Sequence, residues 1–561
     1  MHQFFEIPEI TQRIAERLAL LPSARKSWIL SMAKTCKATY EPSMDVLWRE
    51  LAIFTPLLRC LPPTVLKYRI AECWPGARMG TWEIVKDPLS ESDMARFKHH
   101  ARRVHIIRSL TPQATLAKRP DSSEYVSRLV WGSRRPPWEA PEFVGAYIAP
   151  ECFEALESFF KSTPALPALR ELTCDHPDLD EPRHLAPFMS PVLSTLTYDR
   201  SEAHFSVKDA VAELNQAQCK NSLTKLVLDT RGPSESIAVG NREMAVLASL
   251  PRLQWLRCFV DPQLDHTQTF QHIPENPFPS LYTLILRTDD DVRPIGNDNT
   301  SDATYDALAT FIRCFYAICA PKRLMISVYG HMQVSHAAVL SLFDALAELH
   351  GRVSSLCISL YSGARAGQPP LTLADLAPIL PLPVRDIELL GLIMDIGLDD
   401  VLALVGAWPR VRCLALGHAH HETAPRVPLA GLPQLAQAMT SLEPVQIGLV
   451  VENDSPLPAT PPAPMFHVTE VNLGVSHITG RNLRRAAAFL VHCFPNAELV
   501  LYGPRGMERD TQWGWENAVK TAKRTPQTSW HDMESESEDE AEDETAPPSD
   551  GSAEDARAIR E

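Results

Sequence analysis

The sequence predicts an α/β protein in which three short helices precede a long array of parallel strands, with a disordered acidic tail at the end. Three observations support this fold class. Apolar residues recur at helical spacing through residues 1–51, and a strand-like motif then recurs about every 30 residues. The last residues are almost entirely acidic and polar, a composition that cannot form a packed core.

The first 51 residues contain three apolar stripes. One stripe has intervals of three and four residues, which place its members on one face of a helix: Ile7, Ile10, Ile14, Leu18 and Leu21. Pro8 suits a first helical position, and Glu9 suits the positive end of the helix dipole. We predict a second helix over Trp28 to Cys36 and a third that opens at Pro42. So small a unit buries little surface, so it must pack on the next domain, on a partner, or on both.

The strand-like motif is apolar at positions i, i+3 and i+5, as in Leu169, Leu172 and Cys174. Its middle positions are 24 to 42 residues apart, at Leu172, Leu196, Leu226, Leu256, Leu284, Ile326, Leu356, Ile387, Leu414, Ile447, Val471 and Leu499. Weaker copies precede them at Val104/Ile106 and Val126/Leu129/Trp131. The i+3 and i+5 residues alternate as inward-facing strand positions should.

Helix signals lie between the strand motifs. Candidate caps precede apolar stripes at Ser206, Asn241, Ser335, Thr372 and Thr479. Because crossovers between parallel strands are right-handed, alternating strands and helices predict a curved solenoid over 101–505, with the strands on its concave face. An open, doubly wound sheet of βαβ units is the alternative, although open sheets rarely exceed about 10 strands.

Charge and cysteine usage limit the possible partners and compartments. The formal charge is -15, but 531–561 holds thirteen acidic residues and two arginines, so the other 530 residues carry only -4. A body without a basic stripe argues against nucleic acid as a partner. We see neither a secretory leader nor an apolar run long enough to span a membrane. The twelve cysteines are scattered within strand and helix patterns, as in a reducing compartment, so we expect a cytoplasmic or nuclear protein.

Catalytic and metal signatures are missing from the sequence. It contains no phosphate-binding loop, no Gly-x-Ser-x-Gly elbow, no His-Glu-x-x-His and no paired Cys-x-x-Cys. The cluster from His418 to Glu422 follows a predicted strand, and we interpret it as a histidine-rich loop rather than a metal site. We therefore expect no enzyme activity, no catalytic residues, no cofactor and no metal.

Three polar segments interrupt the pattern. The stretch from Arg287 to Asp306 is predicted to be a surface loop, either a tolerated insertion or a selector of basic partners. The Pro-rich stretch from Asn453 to Met465 replaces one outer helix. The tail is expected to be disordered from about 529, where Ser535 and Ser537 precede acidic residues; it is either solubilising or a kinase substrate.

The N-terminal motifs resemble the F-box family, especially its fungal F-box-like members. The matching elements are Ile7-Pro8-Glu9-Ile10, the stretch from Met32 to Lys37, and Leu47-Trp48-Arg49. The resemblance implies docking on a Skp1-type adaptor, and through it on a cullin. By the family pattern the adaptor-binding residues are Ile7, Pro8, Ile10, Ile14, Leu18, Leu47 and Trp48.

The strand–turn–helix units resemble leucine-rich repeats of the longer, helix-containing type. The asparagine or cysteine that usually follows the strand motif is mostly missing, so we do not expect one uniform ladder of side chains in the turns. The expected domains are an F-box-like helical domain (1–55), a helical linker (56–100), a leucine-rich-repeat-like solenoid (101–505) and a tail (506–561).

Together these resemblances imply the substrate-recognition subunit of an SCF-type (Skp1–cullin–F-box) E3 ubiquitin ligase, which recruits a protein substrate through the solenoid. The alternative is a non-enzymatic repeat scaffold whose N-terminal helices only cap the array. A hydrolase that uses the loop from His418 to Glu422 is a remote third class.

Overall fold

Two compact units, each a mixture of helices and strands, make up the protein in a computed structural model. The first comprises 1–332 and 344–354, and the second comprises 333–343 and 355–561. The structure describes residues 7–19, 25–74, 77–110, 143–161, 163–174, 182–200, 207–230, 239–262, 264–289, 301–364, 368–390, 392–416, 426–439, 445–448, 450–452, 462–472, 480–500 and 509–524. None of the helices in these ranges has the length and apolarity needed to cross a bilayer.

Three helices open the first unit: α1 (Pro8–Ala19), α2 (Arg25–Ala33) and α3 (Lys37–Arg49). Pro8 is the first residue of α1 and Glu9 lies in its first turn, as the sequence predicts. The third helix differs from the expectation, because it begins at Lys37 and contains Pro42 in its interior.

The remaining elements alternate along the chain. The strands are β1 (Glu50–Leu51), β2 (Leu66–Trp74), β3 (Ala77–Ile84), β4 (Ile106–Ile107), β5 (Phe143–Ile148), β6 (Glu171–Cys174), β7 (Thr195–Arg200), β8 (Lys225–Thr230), β9 (Trp255–Phe259), β10 (Thr283–Asp289), β11 (Arg323–Val334), β12 (Ser355–Ala364), β13 (Val384–Leu390), β14 (Cys413–Leu416), β15 (Arg426–Pro428), β16 (Val445–Gly448), β17 (Val450–Glu452), β18 (Val468–Asn472) and β19 (Glu498–Val500). The further helices are α4 (Thr55–Leu58), α5 (Glu91–Ala101), α6 (Pro150–Phe160), α7 (Val207–Gln216), α8 (Asn241–Ala248), α9 (His266–Thr269), α10 (Ser301–Ile318), α11 (His336–Ala347), α12 (Leu373–Leu376), α13 (Leu398–Ala407), α14 (Leu432–Ala438), α15 (Gly480–Cys493) and α16 (Arg509–Arg524).

A parallel sheet runs through the first unit in the order β1-β4-β6-β7-β8-β9-β10-β11, which follows the order of the chain. The predicted middle positions pair with one another across it: Leu172 with Leu196, Leu196 with Leu226, Leu226 with Leu256, and Leu256 with Leu284. The prediction was wrong by two residues at β11, where Leu324 and not Ile326 pairs with Leu284. Leu324, Ile326 and Val328 are all buried, so the apolar pattern there survives a shift of two.

Buried leucines explain why this array forms. The i and i+3 leucines of the first three complete motifs, 169/172, 193/196 and 223/226, have at most 1% of their surface exposed. Burial of each such side chain contributes about 1.5–3 kcal/mol. Hydroxyl groups also bridge neighbouring repeats: Ser194 donates to the Arg170 carbonyl (3.1 Å) and Thr224 to the Ser194 carbonyl (3.0 Å). Both hydroxyls lie just before a strand, one residue after the first leucine of the motif, and so they link successive repeats where the strands begin.

The sheet begins earlier than the predicted boundaries at 55 and 101. Strand β1 follows α3 without a linker, and Leu51 pairs with Ile107 of β4. The 56–100 segment, expected to be a helical linker, holds α4 and α5 but also β2 and β3. These pair antiparallel, and β5 joins them to make a second sheet in the order β2-β3-β5.

The second unit carries its own parallel strands in the order β12-β13-β14-β16-β18-β19, with a separate pair β15-β17. From β13 onward the predicted middle positions are in register, Ile387 with Leu414 and Leu414 with Ile447. At β12 the prediction was wrong by two residues, because Ile358 and not Leu356 pairs with Ile387. Two predicted caps are confirmed. The Ser335 hydroxyl accepts from the Ala338 amide at the start of α11 (3.2 Å), and the Asp375 carboxylate accepts from the Thr372 amide (2.8 Å). Asn241, in contrast, is the first residue of α8 and not its cap.

Several predicted segments lie wholly or partly outside the described residues. The described ranges omit Leu21, the motif at Val126/Leu129/Trp131, the cap candidates Ser206 and Thr479, the cluster from His418 to Glu422, and the tail from 525. Of the loop predicted from Arg287 to Asp306, residues 287–289 belong to β10 and 301–306 to α10, and the part between them is not described. Only 462–465 of the Pro-rich stretch is described, as irregular backbone.

Candidate functional site

The three N-terminal helices share a small apolar core. Ala15 of α1, Ile29 of α2 and Val46 of α3 are buried together, and half-buried apolar side chains pack around them: Leu18, Ala19, Met32 and Leu47. Thr39 fixes the turn between α2 and α3, since its buried hydroxyl lies 2.8 Å from the Met32 carbonyl oxygen and can donate to it. Two of the predicted adaptor-binding residues, Leu18 and Leu47, therefore contribute to this core.

The apolar stripe of α1 meets the core at Leu18, and its earlier members lie largely outside the core. The fully buried positions of the helix are Thr11 and Ala15. Ile7 is 45% exposed and Ile14 is 38% exposed, Pro8 is exposed, and Ile10 is half-buried. Ahead of Leu18, the helix therefore packs through small and polar residues and presents branched apolar side chains to solvent.

Helix α2 adds further exposed apolar side chains. Trp28 is 50% exposed and Leu30 is 41% exposed, although Ile29 between them is buried. Exposed apolar residues that stand singly are ordinary on a protein surface, but larger groups of them mark interaction sites. Three large exposed apolar side chains on α1 and α2, together with Ile7 directly before α1, make this module the strongest candidate for a docking surface.

Trp48, at the other end of the predicted docking site, contacts the body of the first unit. Its ring stacks on that of His100 in α5, with centroids 4.3 Å apart and planes 20° apart. Leu51 is in register with Ile107 and Leu172. Trp48 stands three residues before Leu51, as Val104 and Leu169 stand before Ile107 and Leu172. Trp48 therefore takes the first position of the strand motif. Burial is the main cause that lowers the pKa of His100 to about 4, so this ring is neutral at physiological pH.

A buried arginine fastens α3 to the body. Arg103 is only 5% exposed, and its guanidinium contacts Glu41 and Asp45 of α3, the second at 2.9 Å. An ion pair between Arg49 and Glu16 (2.9 Å) ties α3 to α1, and this hydrogen bond lowers the pKa of Glu16. The module is thus held to the sheet on one side and left open on the side of Ile7 and Ile14.

The outward face of the first unit's sheet is the second candidate surface. The leucines at i+3 point into the core, so the residues beside them point to the opposite face. In one register row this face carries Glu171, Thr195, Lys225, Trp255, Thr283 and Arg323. At the start of the row two carboxylates outnumber one cation, since Arg108 forms ion pairs with both Glu50 (2.9 Å) and Glu171 (3.1 Å).

The sequence did not predict the residues that connect α3 to the body of the first unit. Arg103 and His100 have no motif that would single them out, because their role depends on contacts across about 50 residues of sequence. The register row on the sheet could have been found, since each member comes directly before a predicted middle position.

Comparisons with known proteins give no assignment. No protein-family model matches the chain, and no curated protein matches it. Within the described ranges, no three His, Cys, Asp or Glu side chains are placed to hold a metal ion. Eleven of the cysteines are free thiols, and burial raises the pKa of one of them, Cys258, to about 12, which keeps that thiol protonated.

Proposed function

We propose that this chain is the substrate-recognition subunit of an SCF-type E3 ubiquitin ligase. In this proposal α1–α3 form an F-box-like module that docks on a Skp1-type adaptor and through it on a cullin. The strand–helix units form a leucine-rich-repeat-type solenoid that holds a protein substrate. The chain itself transfers nothing; it brings the substrate close to the ubiquitin-charged enzyme.

The observation that carries the proposal is the exposure of Ile7 and Ile14. A helix that served only to seal the array would turn its largest apolar side chains inward, because each one buried stabilises the fold by about 1.5–3 kcal/mol. Instead α1 buries Thr11 and Ala15. Apolar side chains kept in water on one helix face are what a docking partner would cover.

The experiment is co-purification of the full chain with a Skp1-type adaptor from the same source. We expect the wild-type chain to retain the adaptor and the Ile7→Asp/Ile14→Asp variant to lose it. Val192→Asp is the matched control, since Val192 is 46% exposed but lies next to β7, away from the helices. A wild-type chain that fails to bind the adaptor would remove the ligase proposal.

The alternative is a repeat scaffold whose N-terminal helices cap the first strand. The Trp48–His100 stack and the Arg103 contacts with Glu41 and Asp45 favour it, because they fasten α3 to the body as a cap would be fastened. The same co-purification separates the two: a scaffold binds no adaptor, and the aspartate substitutions leave its behaviour unchanged.

A further inference from the structure

We infer that the register row Lys225–Trp255–Thr283–Arg323 on the first unit's sheet binds an extended, acidic segment of a partner protein that carries two carboxylate side chains about four residues apart. This inference names the substrate class and so rests on the proposed function. A charged row on β8 to β11 is required neither by the predicted adaptor-binding helices nor by the repeat motif.

The two cations of this row are available to a ligand. Among the described residues, neither Lys225 nor Arg323 takes part in an ion pair, in contrast to Arg108, which two carboxylates already neutralise. The Arg323 Nε is buried and has no hydrogen-bond partner in the described part of the first unit. A buried donor without an acceptor destabilises the chain, and a carboxylate that reached this guanidinium would supply the missing acceptor.

An aromatic ring lies between the cations. The Lys225 ammonium is 4.6 Å from the centroid of the Trp255 ring, so the lysine and the ring form a cation–π pair between β8 and β9. Thr283 then separates Trp255 from Arg323 in the register. The row therefore offers a cation, an apolar platform and a second cation in sequence, with the buried Thr283 between the last two.

The spacing of the row defines the ligand. Neighbouring strands lie about 4.8 Å apart, so three strand intervals separate Lys225 from Arg323 by about 14 Å. An extended peptide advances about 3.3–3.6 Å per residue, so side chains four residues apart span the same distance. Carboxylates at those two places would each meet a cation, and an apolar residue between them would lie on Trp255.

The chemistry of the row favours a peptide over nucleic acid. Nucleic-acid surfaces use many cations along a stripe and several aromatic rings for stacked bases. Here two cations flank a single tryptophan, and Glu171 stands in the same row. A carboxylate there would repel a continuous phosphate backbone.

The test measures binding of short labelled peptides to the full chain by fluorescence anisotropy. The probe carries two glutamates about four residues apart with a leucine between them, and matched peptides carry adjacent glutamates or glutamines in their place. We expect the spaced glutamates to bind most tightly, and added salt to weaken that binding. Lys225→Glu/Arg323→Glu should raise its Kd roughly tenfold or more, because two charge-assisted contacts are lost.

Lys208→Glu is the matched control, since Lys208 is an exposed lysine of α7 and not of the sheet, and its Kd should stay within about twofold. Equal binding of the glutamine peptide, or no effect of the double substitution, would overturn the inference. Tighter binding of a single-stranded oligonucleotide, abolished by the same substitutions, would assign the row to nucleic acid instead. Peptide binding that appears only after removal of 529–561 would assign it to the chain's own acidic tail.

The adaptor experiment keeps the two proposals distinguishable. Lys225→Glu/Arg323→Glu should still co-purify with the adaptor, and Ile7→Asp/Ile14→Asp should still bind the peptide. If the wild-type chain binds the peptide but does not co-purify with the adaptor, the ligase proposal is wrong and the acidic-segment site still stands.

Discussion

The N-terminal helices and the strand array of the first unit use their apolar residues in opposite ways. The array buries them: Leu196, Leu226 and Leu256 have no exposed surface and stand side by side in register. The helices bury a small residue, Ala15, and leave Ile14 and Trp28 in water. The array is therefore built to be stable by itself, whereas the helices depend on their fastening to α5 and leave apolar surface for a partner.

The largest expected difference lies in the cost of removing a leucine from each region. Leu256→Ala should lower the free energy of unfolding by about 3 kcal/mol, because it leaves a cavity between Leu226 and Leu284. Leu30→Ala, at a position 41% exposed in α2, should change it by less than about 0.5 kcal/mol. Urea unfolding followed by circular dichroism gives both values, and similar losses would contradict the contrast.

The fastening between the two regions gives the next effect. Arg103→Met removes the guanidinium that contacts Glu41 and Asp45 and should cost about 2 kcal/mol, less than a fully buried ion pair, because both carboxylates are half exposed and can be rehydrated. Amide hydrogen exchange should rise in α3 and stay unchanged in β7 to β9. Exposed Arg102→Met is the control, and uniform exchange across both regions would show that they unfold together.

The buried stack of His100 on Trp48 should make the free energy of unfolding depend on pH. His100 has a pKa of about 4 in the folded chain, mainly because of burial, against about 6.5 when unfolded. The unfolded state then binds more protons between these values, so this stabilisation is complete above about pH 6.5 and is lost as the pH falls toward 4.

His100→Phe keeps a ring against Trp48 and removes the titration. The drop in unfolding free energy between about pH 7 and pH 5 should therefore shrink in this variant. His272→Phe, at an exposed position of the first unit, is the control and should retain the drop. If the free energy of unfolding of His100→Phe falls with pH as much as that of the wild type, groups other than His100 cause the loss of stability in acid.

The contrast between the regions also explains what the sequence could predict. The strand positions were predictable because burial and alternation coincide in the array, and all twelve predicted middle positions lie on strands. The register was harder to predict. At β11 three buried residues in alternation, Leu324, Ile326 and Val328, allowed a shift of two. At β12 Ile358 takes the place predicted for Leu356. In α1 the spacing correctly gave a helix, but a stripe of apolar residues does not say whether it meets the core or a partner. The β2–β3 pair was missed because it lies outside the repeat and has no leucine template.

The smallest expected effect on stability is the most informative about α1. Ile14→Asp should change the free energy of unfolding by less than about 0.5 kcal/mol, since the side chain is 38% exposed and a carboxylate there stays in water. Ala15→Asp, one residue further on, places a charge among Ile29 and Val46 and should unfold the helices, as circular dichroism would register. Equal destabilisation by the two substitutions would mean that Ile14 has a structural partner, and the helix face would no longer be open for docking. A stable Ile14→Asp chain, in contrast, makes any loss of adaptor binding a property of the surface itself.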